Sequence, residues 1–178
     1  MNLQVALMGL PGSGKSSLGK IIAKTLNIIH IDTDVLIENT IGLSVFKIFI
    51  THNEERFRFI EEEIVLASLL SQKGIISLGG GSATLPEVCE ILLNHTVVYL
   101  KVTADKGIQR IKHKNKHPLL LPPYQADKYR YLLQTREIVY RELASIEVNT
   151  EQKNLKKTVS TIVKQLEMYM SKIFDTTV

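Results

Sequence analysis

The chain has 178 residues, 44% hydrophobic and 22% charged, which at roughly 150 residues per domain reads as one domain able to hold a core without disulfide or metal. No run approaches the ~18 apolar residues of a membrane span, the N-terminal Met1-Asn2-Leu3-Gln4-Val5 lacks the basic start of a signal peptide, and a net charge of +4 suits a small anionic ligand without the clustered basic face that nucleic acid needs. With lone Cys89 fitting a reducing compartment, the expectation is a cytoplasmic globular protein, monomeric by default, with no membrane and no nucleic-acid partner.

Leu3 to Met8 is a short apolar run of β type that ends at Gly9. Leu18, Ile21, Ile22 and Leu26 keep helical spacing and predict a helix over 15–26. Ile28 to Ile31 predicts a second strand, closed by Asp32. Ser44 can cap a short helix through Ile50; a break at His52-Asn53 precedes another helix from Glu54 to about Ser71. Ile75 to Leu78 predicts a third strand, followed by Gly79-Gly80-Gly81. Thr84-Leu85-Pro86-Glu87 reads as a capping box that opens a helix to about Leu93. Thr96 to Val102, rich in β-branched residues, predicts a fourth strand, and a helix follows from Asp105 to about Lys112. Residues 113–124, rich in Lys, His and Pro, form the only long connection without a period of their own and are the candidate lid. Residues 125–144 read as helix and Ser145 to Val148 as a fifth strand. Leu155, Val159, Ile162, Leu166, Tyr169 and Ile173 mark a C-terminal helix. This alternation predicts an α/β domain with a central parallel sheet flanked by helices.

Gly9-Leu10-Pro11-Gly12-Ser13-Gly14-Lys15-Ser16 matches G-x-x-x-x-G-K-[ST], with a strand before it and a helix after it. Glycines let backbone N–H groups converge on a phosphate, and the helix N-terminus adds partial positive charge there. Lys15 is placed for the β and γ phosphates and Ser16 for Mg²⁺, so a nucleoside triphosphate with Mg²⁺ is implied. Asp32 and Asp34 leave the second strand two residues apart, on one side of the chain. One can support hydrated Mg²⁺ and the other accept a proton or hydrogen bond from a hydroxyl; the plainer alternative is that one of them caps the next helix. Gly79-Gly80-Gly81 permits close ligand approach or merely a turn. Arg136 falls on the apolar stripe of its helix with Tyr129, Leu132, Leu133, Tyr140 and Leu143, so it needs an internal carboxylate or an anionic ligand. Arg58 either joins it in gripping a carboxylate or forms a surface pair with Glu61. The loop cations Lys112, His113, Lys114, Lys116 and His117 either cover phosphates or are solvated.

Taken together, Gly9 to Ser16, Asp32-x-Asp34, Asn53-Glu54-x-x-Phe57-Arg58 with Glu61, Gly79-Gly80-Gly81, Pro118-Leu119-Leu120, and Tyr129-Arg130 leading to Arg136 and Tyr140-Arg141 resemble the shikimate kinase family, from residue 3 to about 150. The resemblance implies a nucleoside-monophosphate-kinase-like three-layer P-loop fold with five parallel strands, one domain over 1–178. It also implies acceptor-binding helices at about 33–61 and a lid at about 112–124. It implies transfer of the γ-phosphate of ATP to the 3-hydroxyl of shikimate, a step of aromatic amino-acid biosynthesis. Gly12, Ser13, Gly14, Lys15, Ser16, Ser17 and Arg110 would bind ATP, with Arg110 against the adenine. Ser16 and Asp32 would surround Mg²⁺. Asp34, Arg58, Gly79, Gly80, Gly81, His117 and Arg136 would hold shikimate, and Lys15, Asp34 and His117 would carry the chemistry. Two departures stand out. The residue before Pro-Leu-Leu in the lid is usually arginine and here is His117, shorter and only partly charged near neutrality, with Lys116 as a substitute. Leu155 stands where the adenine-side loop usually carries proline, although Asn154 is kept. The competing expectations are a related small-molecule kinase, or a binding module that lost turnover with its lid arginine.

Overall fold

The computed structural model describes residues 3–112, 120, 125–151 and 154–175. Most of the lid candidate, His113, Lys114, Lys116 and His117 included, lies outside them. Five strands form one sheet: β1 (Gln4–Met8), β2 (His30–Asp32), β3 (Gly74–Ser77), β4 (Thr96–Lys101) and β5 (Ile146–Asn149). All pairs are parallel, in the order β2-β3-β1-β4-β5. Helices supply each crossover. α1 (Lys15–Leu26) joins β1 to β2; α2 (Thr33–Ile41) and α3 (Val45–Ser71) join β2 to β3; α4 (Pro86–Leu92) joins β3 to β4; α5 (Ala104–Ile111) and α6 (Gln125–Leu143) lie between β4 and β5. α7 (Leu155–Asp175) follows β5. The expected architecture is the one observed, with strand ends shifted by a residue or two.

The alternation of side chains along β1 builds two cores. Val5 and Leu7 face Leu18, Ile22 and Ala23 of α1 and Val159, Ile162 and Leu166 of α7. Ala6 and Met8 face the opposite way, toward Val65 and Leu69 of α3, Val88 and Leu92 of α4, and Tyr129 and Tyr140 of α6. β3 is buried on both faces, as a covered parallel strand must be. A separate cluster of Ile37, Ile48 and Phe57 joins α2 to α3. Among the described residues no single helix is long and apolar enough to cross a membrane.

Two local features differ in instructive ways. The expected capping box at Thr84 does not form. Ser82–Thr84 closes a 3₁₀ turn, the Thr84 hydroxyl donates to Gly81 O at 2.7 Å, and Leu85 becomes the N-cap with Pro86 as first helical residue. The expected break at His52-Asn53 is a kink inside α3. Asn53 takes φ 70°, ψ 174°, a region that residues other than glycine seldom enter. Its Oδ1 accepts from Arg56 N at 3.0 Å and so caps the second half of the helix.

Candidate active site

A cavity of about 770 Å³ opens at the C-terminal ends of the strands, where β1 runs into α1. Open parallel sheets bind ligands at this edge. The donor side is the loop from Gly9 to Ser16. Gly12 and Gly14 carry φ of 83° and 100°, and Gly14 leads directly into α1. Lys15 Nζ donates to Gly9 O at 2.7 Å and to Leu10 O at 3.2 Å, so the ammonium lies over its own loop. Burial pulls its pKa down to about 8, although Asp34 and Asp32 favour its charge. Ser16 and Ser17 line the cavity; Ser13 is buried, and its hydroxyl has no hydrogen-bond partner among the described residues.

The carboxylates divide as the chain leaves β2. Asp32 caps α2: its Oδ1 accepts from Asp34 N and Val35 N at 3.2 and 3.4 Å. The capping alternative is therefore realised, yet Asp32 also lines the cavity, and its Oδ2 has no partner among the described residues. Asp34 faces the same space. Burial pushes its carboxyl up to about 6, against Lys15, with Asp32, Glu61 and Glu38 adding to the rise. Thr33, between them, is buried and accepts from Gly79 N at 2.9 Å. Gly79 therefore sits behind the cavity wall, its N–H already taken; Gly80 and Gly81 line the cavity in its place.

At the acceptor side Arg58 and Arg136 converge on the Gly80-Gly81 segment. Arg58 pairs with Glu61 and with Glu54, the latter at 3.1 Å. The Arg58–Glu61 pair is not the surface contact its spacing allowed. Glu61 is 1% exposed and also accepts from Ser82 Oγ at 2.8 Å. Burial opposes the Arg58 charge, but Glu61 and Glu54 outweigh it and raise the pKa. The guanidinium carbon lies 5.9 Å from the Phe49 ring and 5.4 Å from the Phe57 ring. A Cβ on Gly81 would collide with Arg58 Nη1 where it now lies, so glycine lets the guanidinium come this close. Arg136 Nη1 donates to Gly80 O at 2.7 Å. Arg110 lines the far side, donating to Gly12 O at 3.0 Å and Thr150 O at 2.6 Å, close to Leu155 and Glu151. His117 lies outside the described residues.

Four contributors have roles that the sequence does not disclose. Glu61, Tyr129 and Tyr140 stand in the motifs of the resemblance, and by spacing alone they read as a pairing partner and as apolar stripe; Thr33 is only the position between two aspartates. The missed signal was the polar tip on each of these inward-facing residues, since a buried hydroxyl or carboxylate requires a partner.

A parallel sheet with its phosphate-binding loop at the switch point, and a basic pocket facing it across a carboxylate, defines the class of P-loop phosphotransferases. Within that class, the chain belongs to the shikimate kinase family, whose sequence model, described as shikimate kinase, matches residues 11–167. The shikimate kinase of Mycobacterium avium (strain 104) is 45% identical over 163 residues, 92% of this chain and 93% of that protein. The structure of shikimate kinase from Acinetobacter baumannii in complex with shikimate superposes with a TM-score of 0.90 at 28% identity, covering 93% of each chain. A gluconokinase from Sinorhizobium meliloti 1021, at 18% identity and a TM-score of 0.64 over 99% of this chain and 98% of that one, shares the fold alone.

Proposed function

We propose that this chain transfers the γ-phosphoryl group of ATP to the 3-hydroxyl of shikimate, giving shikimate 3-phosphate and ADP. The observation that carries the reading is that Lys15, Asp34, Arg58 and Arg136 line one cavity. The names of the M. avium and A. baumannii relatives, and the shikimate bound in the latter, support the same acceptor.

Each group then has one task. The N–H groups from Gly12 to Ser16 cradle the phosphates. Lys15 exchanges Gly9 O and Leu10 O for phosphate oxygens, whose charge offsets the burial that depresses its pKa. Arg58 and Arg136 hold the acceptor carboxylate, with Gly80 and Gly81 beneath it. Asp34, ionised at pH 7 with a pKa of about 6, accepts the hydroxyl hydrogen as the oxygen attacks. Arg110, with Leu155 beside it, faces the adenine. Among the described residues no three His, Cys, Asp or Glu side chains form a metal cluster. That fits Mg²⁺, which keeps several waters and takes one or two protein oxygens plus phosphate. Ser16 Oγ and the free Oδ2 of Asp32 would hold it. When bound, Mg²⁺ neutralises charge on the transferred group.

The test is a coupled ADP-release assay with shikimate, other hydroxy acids, gluconate and nucleosides. The expected outcome is turnover with shikimate at a kcat/KM orders of magnitude above the rest. Preference for a neutral sugar or nucleoside overturns the acceptor assignment. Nucleotide binding without turnover of any acceptor overturns catalysis in favour of a binding module.

A further inference from the structure

α6 sends two tyrosines into the molecule, Tyr129 and Tyr140, eleven residues or three helical turns apart and so on one face. Both are at most 1% exposed, so neither ring can touch a ligand. Each hydroxyl nonetheless reaches the backbone of a residue that lines the cavity. Tyr129 Oη donates to Pro11 O at 2.8 Å, and Tyr140 Oη donates to Gly80 O at 2.5 Å. The two loops so held abut each other, since a Cβ on Gly80 would lie 3.0 Å from Pro11 Cδ. The Tyr129 hydroxyl reaches Pro11 past Gly107 of α5, where any Cβ would collide with it.

We propose that Tyr129 and Tyr140 are positioning residues, one for each substrate: Tyr129 sets the phosphate loop and Tyr140 sets the acceptor pocket. The acceptor half rests on the reading of shikimate as substrate. The geometry of the trans peptide gives the first reason. Its C=O and N–H point opposite ways, so pinning Pro11 O aims Gly12 N–H away from Tyr129, and pinning Gly80 O aims Gly81 N–H away from Tyr140. Gly12 and Gly81 both line the cavity. The second reason concerns Arg136. Gly80 O receives Tyr140 Oη and Arg136 Nη1, one for each lone pair. When the guanidinium turns to an acceptor carboxylate, Tyr140 keeps Gly80 O satisfied. Without the hydroxyl, Gly80 O and the acceptor compete for Arg136. Burial pushes the Tyr140 phenol up to about 12 and raises that of Tyr129, so both remain donors across the neutral range.

Tyr129→Phe and Tyr140→Phe keep the rings, including the Tyr99–Tyr140 contact at 5.2 Å, and remove only the hydroxyls. Tyr140→Phe is expected to raise the KM for shikimate roughly three- to tenfold, the worth of one hydrogen bond, with the KM for ATP within twofold. Tyr129→Phe is expected to do the reverse. In an Arg136→Ala background, Tyr140→Phe raises the KM for shikimate by a smaller factor than in the wild type, because the competition for Arg136 is gone and only the aim of the Gly81 N–H is lost. Calorimetric titration with ADP and Mg²⁺ reads the Tyr129 effect without acceptor turnover, so failure of shikimate as substrate stays separate from failure of this assignment. Equal shifts of both KM values in both variants, additivity with Arg136→Ala, or lower melting temperatures with unchanged KM values each overturn it.

Discussion

At the donor end of the cavity, the groups placed for a ligand are backbone N–H groups on the successive residues Gly12 to Ser16, with the Lys15 ammonium. At the acceptor end they are side chains from residues 34, 58 and 136, which lie on three different helices. Their supports differ as well. The donor loop is fixed by its junction with β1 and α1 and by single hydrogen bonds from Arg110 and Tyr129. The acceptor cations are fixed by other charges or by one peptide. Arg58 is bracketed by Glu54 and Glu61, whereas Arg136 bonds Gly80 O and the Tyr140 hydroxyl and forms no ion pair among the described residues. The contrast teaches that recognition of the nucleotide is a local property of the chain, while recognition of the acceptor is a property of the fold. Within the acceptor pair, Arg136 has the less neutralised charge and should carry more of the attraction for a carboxylate.

The sharpest way to break this contrast is at the donor end. Lys15→Ala is expected to lower kcat about a thousandfold or more while leaving the melting temperature unchanged or higher, since the wild-type ammonium is held there against burial. Near-normal turnover in a steady-state assay would remove the phosphate loop from the mechanism. Next comes Asp34→Asn, expected to lower kcat on the order of a hundredfold or more with both KM values within a few-fold. A loss confined to the KM for shikimate would make Asp34 a binding group only. Arg136→Ala is expected to raise the KM for shikimate roughly thirtyfold or more, from ~2 kcal/mol or more for a lost charge pair, and Arg58→Ala less, with the KM for ATP little changed. The reverse ranking would show that the carboxylates around Arg58 do not weaken its hold on the acceptor.

The pH profile has a smaller effect but tests both ends at once. Asp34, with its carboxyl pushed up to about 6, must be ionised to act. Lys15, pulled down to about 8, must be charged to bind. kcat/KM reports the free enzyme, so it should fall about tenfold per unit below pH 6 and again above pH 8. A flat profile from pH 5 to 9 would reject both shifts. The smallest effect is on stability. The folded pKa of Asp34 lies above its value in the unfolded chain, so the proton favours folding. This contribution is complete below about pH 4 and is lost as pH rises through about 6. At pH 7, Asp34→Asn should therefore raise the melting temperature by a few degrees, measured by calorimetry.

The donor end was legible because its signal is contiguous: Gly9 to Ser16 falls between an apolar run and a helical period, and strand, loop and helix formed in that register. The acceptor end was legible only in outline. Spacing could place Arg136 inward, but not say that its guanidinium meets Gly80 O, 56 residues away. It could place Glu61 beside Arg58, but not that the Ser82 hydroxyl would complete a buried site for the carboxylate. Thr84 shows the same limit over a shorter range. Its hydroxyl met Gly81 O before it could cap a helix, a competition between turn and helix that sequence spacing leaves undecided.

The kink at Asn53 has a consequence for how this protein could be altered. A side chain held in a backbone region suited to glycine stores strain on the order of 1–3 kcal/mol. Asn53 is exposed and does not line the cavity. Glycine there would release the strain, and the lost N-cap would cost only a few tenths of a kcal/mol. The chain thus carries a reserve of thermal tolerance at a position outside the cavity lining, although the helix half that Asn53 caps is the one that carries Arg58.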